Sequence, residues 1–105
     1  RFVDECREAL SARWPGTVTA FFGHIGDSNL HLHVKAVAGV STSDVDQLVY
    51  GLVRRWKGTT SAEHGIGTLR RPYLSYARTA EEIAVMKQLK HALDPRGILN
   101  PGKVL

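Results

Sequence analysis

The sequence predicts an α+β fold: a ferredoxin-like antiparallel sheet with helices on one face, in the order α-β-β-α-β-α, with the first strand of a βαββαβ unit missing. Three observations predict it. Two β-prone runs flank the small and polar residues Gly26 to Asn29, the pattern of a β-hairpin with a loop of about four residues. Val45, Leu48, Val49, Leu52, Val53 and Trp56 recur at the spacing of an amphipathic helix. Thr79-Ala80-Glu81-Glu82 is a capping box opening a last helix.

Each element has its own local cause. Val3, Cys6, Leu10 and Trp14 follow helical spacing until Pro15-Gly16 stops them, which predicts a helix over residues 2–13. Thr17 to Gly23 and Leu30 to Val37 are the hairpin strands. Phe21, Ile25, Leu30, Leu32 and Val34 fall on one face; Ala20, Phe22, His24, His31, His33 and Lys35 fall on the other. The first face suits a helix layer. The second is open, and an open apolar face is where another domain or subunit packs. After the loop Ala38 to Thr42, Ser43 caps the amphipathic helix and Gly58 stops it. Thr59 to Glu63 reads as a third strand leading into the turn His64-Gly65-Ile66-Gly67, and Arg71-Pro72-Tyr73 marks another break. The last helix carries Ile83, Met86, Leu89, Lys90 and Leu93 and ends at Asp94-Pro95. Gly97 to Leu105 is an extended strap.

A chain of 105 residues with 43% apolar content is one domain with a core of its own. It starts at Arg1, already in helical pattern, and reads as a piece of a longer protein. No run of about 18 apolar residues is present to cross a membrane. The single cysteine, Cys6, excludes an internal disulfide and a cysteine-rich zinc site, and reads as a buried small hydrophobe. The net charge of +4 is scattered without aromatic interleaving, a solvated basic surface rather than a nucleic-acid interface, with at most a modest pull on an anionic substrate.

The hairpin holds the most informative chemistry. With the loop centred between Asp27 and Ser28, His24 faces His31, and side chains directly opposite have Cβ atoms about 4.5–5.5 Å apart. Two imidazoles at that distance can share one metal ion. The best third ligand is in Ser61-Ala62-Glu63-His64-Gly65-Ile66-Gly67, where Glu63 and His64 point to opposite sides unless the turn bends the chain. A His, His, Glu set with open positions is a catalytic arrangement for zinc and also suits Mn²⁺. The open positions could take a 2-hydroxy acid, chelated through its hydroxyl and one carboxylate oxygen. His33, one pleat along, is a ligand, a substrate contact or a surface residue; spacing leaves all three open. His91 reads as solvent-exposed, and Asp27 and Asn29 as turn formers. Gly65-Ile66-Gly67-Thr68-Leu69-Arg70 lacks the third glycine of a dinucleotide fingerprint, Arg70 holding its place, so nicotinamide binding is rejected.

Three motifs occur in order: Gly23-His24-Ile25-Gly26-Asp27-x-Asn29-Leu30-His31, Ser61-Ala62-Glu63-His64-Gly65-Ile66-Gly67 and Ala92-Leu93-Asp94-Pro95-x-Gly97-Ile98-Leu99-Asn100-Pro101-Gly102-Lys103-Val104-Leu105. Together they resemble the C-terminal domain of FAD-linked oxidases, which include D-lactate dehydrogenases, the FAD-linked subunit of glycolate oxidase and D-2-hydroxyglutarate dehydrogenases. The resemblance covers essentially the whole chain. It implies that residues 1–105 are the C-terminal part of the substrate domain of an enzyme that oxidises a D-2-hydroxy acid to the 2-oxo acid, without its FAD-binding domain and inactive alone. It implies a divalent metal on His24, His31 and Glu63, and His64 as base. It implies substrate contacts at His33 and Arg70, and flavin contacts at Asn29, Asn100 and Lys103. The partners implied are the substrate and the FAD-binding domain of the same protein; the open sheet face separately predicts a second copy as partner, and the expected location is the cytoplasm or the membrane periphery.

Three residues depart from the family's pattern. Ser28 replaces a glycine; if the position needs positive φ, serine costs about 1 kcal/mol. His33 stands where an asparagine is frequent, and Arg70 where a lysine is common, which keeps the charge but changes the geometry. The rival expectation is a small ferredoxin-like interaction or oligomerisation module whose histidines are only structural.

Overall fold

The computed structural model describes the backbone of residues 1–105 and every side chain except that of Ile25, so the expected facing of Ile25 lies outside the described residues. The chain divides into two units, Arg1–Trp56 and Lys57–Leu105. The architecture is α+β with one antiparallel sheet, as expected.

In the first unit, α1 (Phe2–Arg13) has Asp4 and Glu5 in its first turn and Arg13 in its last, each complementing the helix dipole. Its inner face carries Cys6 and Leu10, both fully buried. The hairpin strands are β1 (Val18–His24) and β2 (Asn29–Lys35). Helix α2 (Thr42–Arg55) brings Val45 into the core, with Leu48, Val49 and Leu52 packed around it and Phe21, Leu32 and Val34 of the sheet beneath. Burying a side chain the size of Leu10 contributes about 1.5–3 kcal/mol. Beyond the core, Glu5 of α1 accepts a hydrogen bond from Trp56 Nε1 at 2.7 Å and pairs with Arg55.

Several boundaries differ from expectation, each for a local reason. The α2 cap is Ser41, not Ser43: Ser41 Oγ accepts from Asp44 N at 3.1 Å, and the Asp44 carboxylate accepts from Ser41 N at 3.2 Å, so of the two Ser-x-x-Asp patterns, Ser41–Asp44 and Ser43–Asp46, the first closes the reciprocal box. Lys57, at φ 54°, leaves the helix before Gly58 is reached. The hairpin loop is residues 25–28 rather than 26–29. A 3₁₀ turn over Ile25–Asp27 leads to Ser28 at φ 58°, and Asp27 Oδ1 accepts from Asn29 N at 3.0 Å. The pairing is therefore centred between Gly26 and Asp27, with Phe22 opposite His31 and His24 opposite Asn29.

The second unit has no strand among the described residues. Thr59 to Glu63, expected as a third strand, is irregular, so the sheet has two strands. Two of its hydroxyls bond locally: Ser61 Oγ donates to Gly65 O at 2.8 Å, and Thr59 Oγ1 donates to Ser61 O at 3.4 Å. The break at Arg71-Pro72-Tyr73 is a 3₁₀ turn with Pro72 in its first positions, running into a short helix, α3 (Leu74–Ala77), too short to show a periodic apolar pattern. Helix α4 (Ala80–Leu93) starts at the Thr79–Glu82 capping box and ends at Asp94, as expected. Its apolar residues are not buried: Leu89 is 58% and Leu93 80% exposed. The tail is not an extended strap. Turns with positive φ at Gly97, Asn100, Gly102 and Val104 fold it back, and Val104 N donates to Gly67 O at 2.8 Å. No helix is long and apolar enough to cross a membrane.

Candidate functional site

In the first unit, the site residues belong to one face of the hairpin. The pairing register places His24, Asn29, His31 and His33 on the face opposite Phe21, Leu32 and Val34. The shift in register moved His24 from directly opposite His31 to diagonal from it. A shift that re-pairs each residue two positions along keeps every side chain on its face, so the cluster survives. The imidazole centroids of His24 and His31 are 6.2 Å apart, and one ring nitrogen of each lies within 4.8 Å of the other. Two nitrogens bound to one tetrahedral zinc at about 2.0–2.1 Å are roughly 3.4 Å apart. The spacing of the pair is compatible with a shared ion.

Phe22 organises this face. Its ring stacks on His31 at 5.1 Å with an interplanar angle of 10°, and His33 meets it edge-on at 5.1 Å. Phe22 is nevertheless 52% exposed, and Val18 at the far end of the same face is 63% exposed. The face is thus both aromatic and accessible. The sequence placed Phe22 on this face but assigned it no part; its position between the imidazoles follows from the register.

In the second unit, Glu63 and His64 lie in a bend rather than a strand. They do not point to opposite sides: His64 Nε2 is 3.9 Å from Glu63 Oε1, beyond direct hydrogen-bond range. Both side chains are largely exposed. Arg70 is half-buried and donates from Nη1 to Gly65 O at 3.4 Å, bracing the glycine turn. Asn100 and Lys103 are exposed on the folded tail, and the Val104–Gly67 hydrogen bond joins that tail to the turn following His64. His91 is exposed, as expected.

Two further residues carry weight that the sequence reading missed. Asp94, expected as a helix stop and as part of the third motif but given no role, is 6% exposed and accepts hydrogen bonds from Ile98 N at 3.0 Å and Leu99 N at 2.9 Å. Lys90, one turn earlier, pairs with it. The hydrogen bond from Lys90 holds the Asp94 carboxyl below the usual carboxylate range against the opposing effect of burial, and the Leu99 and Ile98 N–H groups add to it. The spacing of four between Lys90 and Asp94 was the available signal. Cys6 lies in the core of the first unit, where burial pushes its thiol up to about 11.

Comparison with known proteins adds the last observations. The family described as FAD linked oxidases, C-terminal domain, matches residues 1–104. The chain is 42% identical over 110 residues to D-2-hydroxyglutarate dehydrogenase of Xanthomonas citri pv. viticola, covering 98% of the chain and 23% of that protein. It is 37% identical over 110 residues to D-2-hydroxyglutarate dehydrogenase of Stutzerimonas stutzeri, covering 98% and 24%. It is 43% identical over 90 residues to mitochondrial D-2-hydroxyglutarate dehydrogenase of Danio rerio, covering 80% and 16%. The chain spans about a quarter of the length of the first two relatives and less of the third.

Proposed function

The chain belongs to the FAD linked oxidase C-terminal domain family, and on that premise we propose that it supplies the metal and substrate ligands of a flavin-dependent enzyme oxidising a D-2-hydroxy acid. The observation that carries the proposal is the approach of His24 and His31 on one accessible sheet face, with ring nitrogens within 4.8 Å. Structural histidines have no need of such an approach on an open face. The relatives' names favour D-2-hydroxyglutarate as substrate, with D-lactate or glycolate as narrower variants of the same chemistry.

In this reading His24, His31 and Glu63 hold a divalent ion such as Zn²⁺ or Mn²⁺, an N,N,O donor set with positions left for substrate. Bound, the ion would supply Lewis acidity to the substrate hydroxyl, and FAD would supply the hydride acceptor. His64 takes the hydroxyl proton at a ring nitrogen, since its imidazole is exposed and adjoins the proposed ligand Glu63. Arg70 and His33 hold substrate carboxylates, the guanidinium offering a two-pronged donor. Asn29, Asn100 and Lys103 offer amide and ammonium donors suited to the carbonyl edge of a flavin. The flavin is held mainly by the FAD-binding domain of the same protein, so the chain alone is inactive and nearly free of FAD. A cytoplasmic or membrane-peripheral location belongs to the same proposal.

Elemental analysis and calorimetry with Zn²⁺ and Mn²⁺ test it. One ion per chain should bind, and His24→Ala, His31→Ala and Glu63→Gln should each abolish or strongly weaken binding. Unchanged binding across the three variants, or none in the parent chain, would favour the rival interaction module. That rival rests on the exposure of Phe22 and Val18 on the same face.

A further inference from the structure

The tail that follows α4 is gripped at both ends. At its start, Leu99 is held through both of its backbone polar groups. Its N–H donates to Asp94 Oδ2 at 2.9 Å, and its carbonyl accepts from Lys90 Nζ at 2.6 Å. Asp94 and Lys90 also pair with each other, and Asp94 Oδ1 takes Ile98 N at 3.0 Å. At the tail's end, Val104 N donates to Gly67 O at 2.8 Å. Between the grips, Lys103 N donates to Asn100 O at 3.3 Å and closes a turn over Pro101 and Gly102.

The backbone of the tail is left-handed at two non-glycine residues. Asn100 has φ 45° and Val104 φ 70°. Asparagine is among the few side chains that tolerate this region, whereas a β-branched residue there is an outlier. Such strain persists only where the surroundings over-determine it. The surroundings here are Asp94, Lys90 and the Gly67 carbonyl. Asp94 is matched to the task. It faces two N–H groups and one ammonium, so every neighbour is a donor and only an all-acceptor side chain satisfies them.

We propose that Asp94 and Lys90 are positioning residues: they form a latch that, with the Gly67 carbonyl, fixes residues 100–103 in the shape in which Asn100 and Lys103 meet the flavin. The proposal rests on the reading of Asn100 and Lys103 as flavin contacts. Neither Asp94 nor Lys90 needs to touch flavin or substrate; both act through the tail.

The experiment has two arms. In the chain itself, amide hydrogen exchange is measured at Ile98, Leu99 and Val104. Asp94→Asn and Lys90→Met should each speed exchange there by about tenfold or more, as expected for losing a charge-assisted hydrogen bond. Lys90→Arg should restore most of the protection, and amides of α1, β1 and β2 should not change. Unchanged exchange at the three tail amides would overturn the latch. In the full-length flavoprotein, Asp94→Asn should shift the visible circular dichroism and midpoint potential of the bound FAD in the same direction as Asn100→Ala. A shift with Asn100→Ala or Lys103→Ala but none with Asp94→Asn overturns the positioning role alone. No shift with any of the three overturns the reading of the tail as a flavin contact, and the latch's role with it.

Discussion

Phe22 and His31 face each other across the hairpin with their rings 5.1 Å apart and within 10° of parallel. The stack fixes the plane in which His31 offers its nitrogens, so under the proposed metal site a half-exposed phenylalanine would preorganise one of the ligands. Aromatic stacking of this kind is worth about 0.5–1.5 kcal/mol. Phe22→Leu keeps apolar cover but removes the π face. Its metal affinity should fall by roughly two- to tenfold, the range that energy corresponds to. Calorimetry measures the affinity, and ring-proton relaxation at His31 should show faster motion. An unchanged affinity alongside a mobile His31 ring would mean that the stack serves stability only.

Ser28 occupies φ 58° at the hairpin turn. The departure from glycine noted in the sequence therefore has the consequence expected of it: a side chain sits in left-handed backbone. Ser28→Gly removes that penalty but gives the unfolded chain more freedom, leaving a net gain of about 0.5 kcal/mol. For a chain of this size that raises Tm by about 2–4 °C. Ser28→Val, β-branched at the same φ, should lower it. Thermal melts by circular dichroism decide, and a Ser28→Gly variant that melts lower would show that the serine is compensated elsewhere.

The two faces of the hairpin were legible because their period is two. Phe21, Leu32 and Val34 on one side and Phe22, His31 and His33 on the other hold for either turn centre, since the two registers differ by an even number of positions. The turn centre itself was not legible. It depends on which residue takes left-handed backbone, and the bond from Asn29 N to Asp27 Oδ1 tips that choice to Ser28. Composition also misled at Thr59 to Glu63, where Thr59 and Ser61 hydrogen-bond locally and the segment is irregular. Lys90 was read as part of a helical stripe, yet its ammonium end turns to Asp94 and Leu99, a pairing that only the folded tail creates.

Cys6 provides a probe of folding with a definite sign. Burial raises its thiol to about 11, so the folded state favours the protonated form. Between about pH 9 and pH 11 the unfolded chain binds fewer protons than the folded one, and stability falls as pH rises through that window; below it the contribution is complete. Reaction with a thiol reagent at pH 8 should be slow in buffer and fast in denaturant. Fast labelling of the native chain would contradict the burial.

Gly23 separates the scaffold from the chemistry it carries. A Cβ at this position would lie 2.1 Å from Asn29 O and 3.0 Å from Leu30 Cα. Both are backbone atoms of the partner strand, so no rotamer change relieves the contact. Overpacking against movable side chains already costs about 1–3 kcal/mol, and backbone gives less readily than side chains do. Gly23→Ala should therefore pry open the hairpin next to His24, lowering Tm by at least several degrees and abolishing metal binding although no ligand has been changed. His24→Ala is the opposite case. Its side chain is exposed, so the melt should move by no more than about 0.5 kcal/mol while metal binding is lost. Melts and calorimetry on both variants distinguish a metal site held by hairpin geometry from one held by its ligands alone, and a Gly23→Ala chain with parental Tm and affinity would contradict the close approach of the two strands.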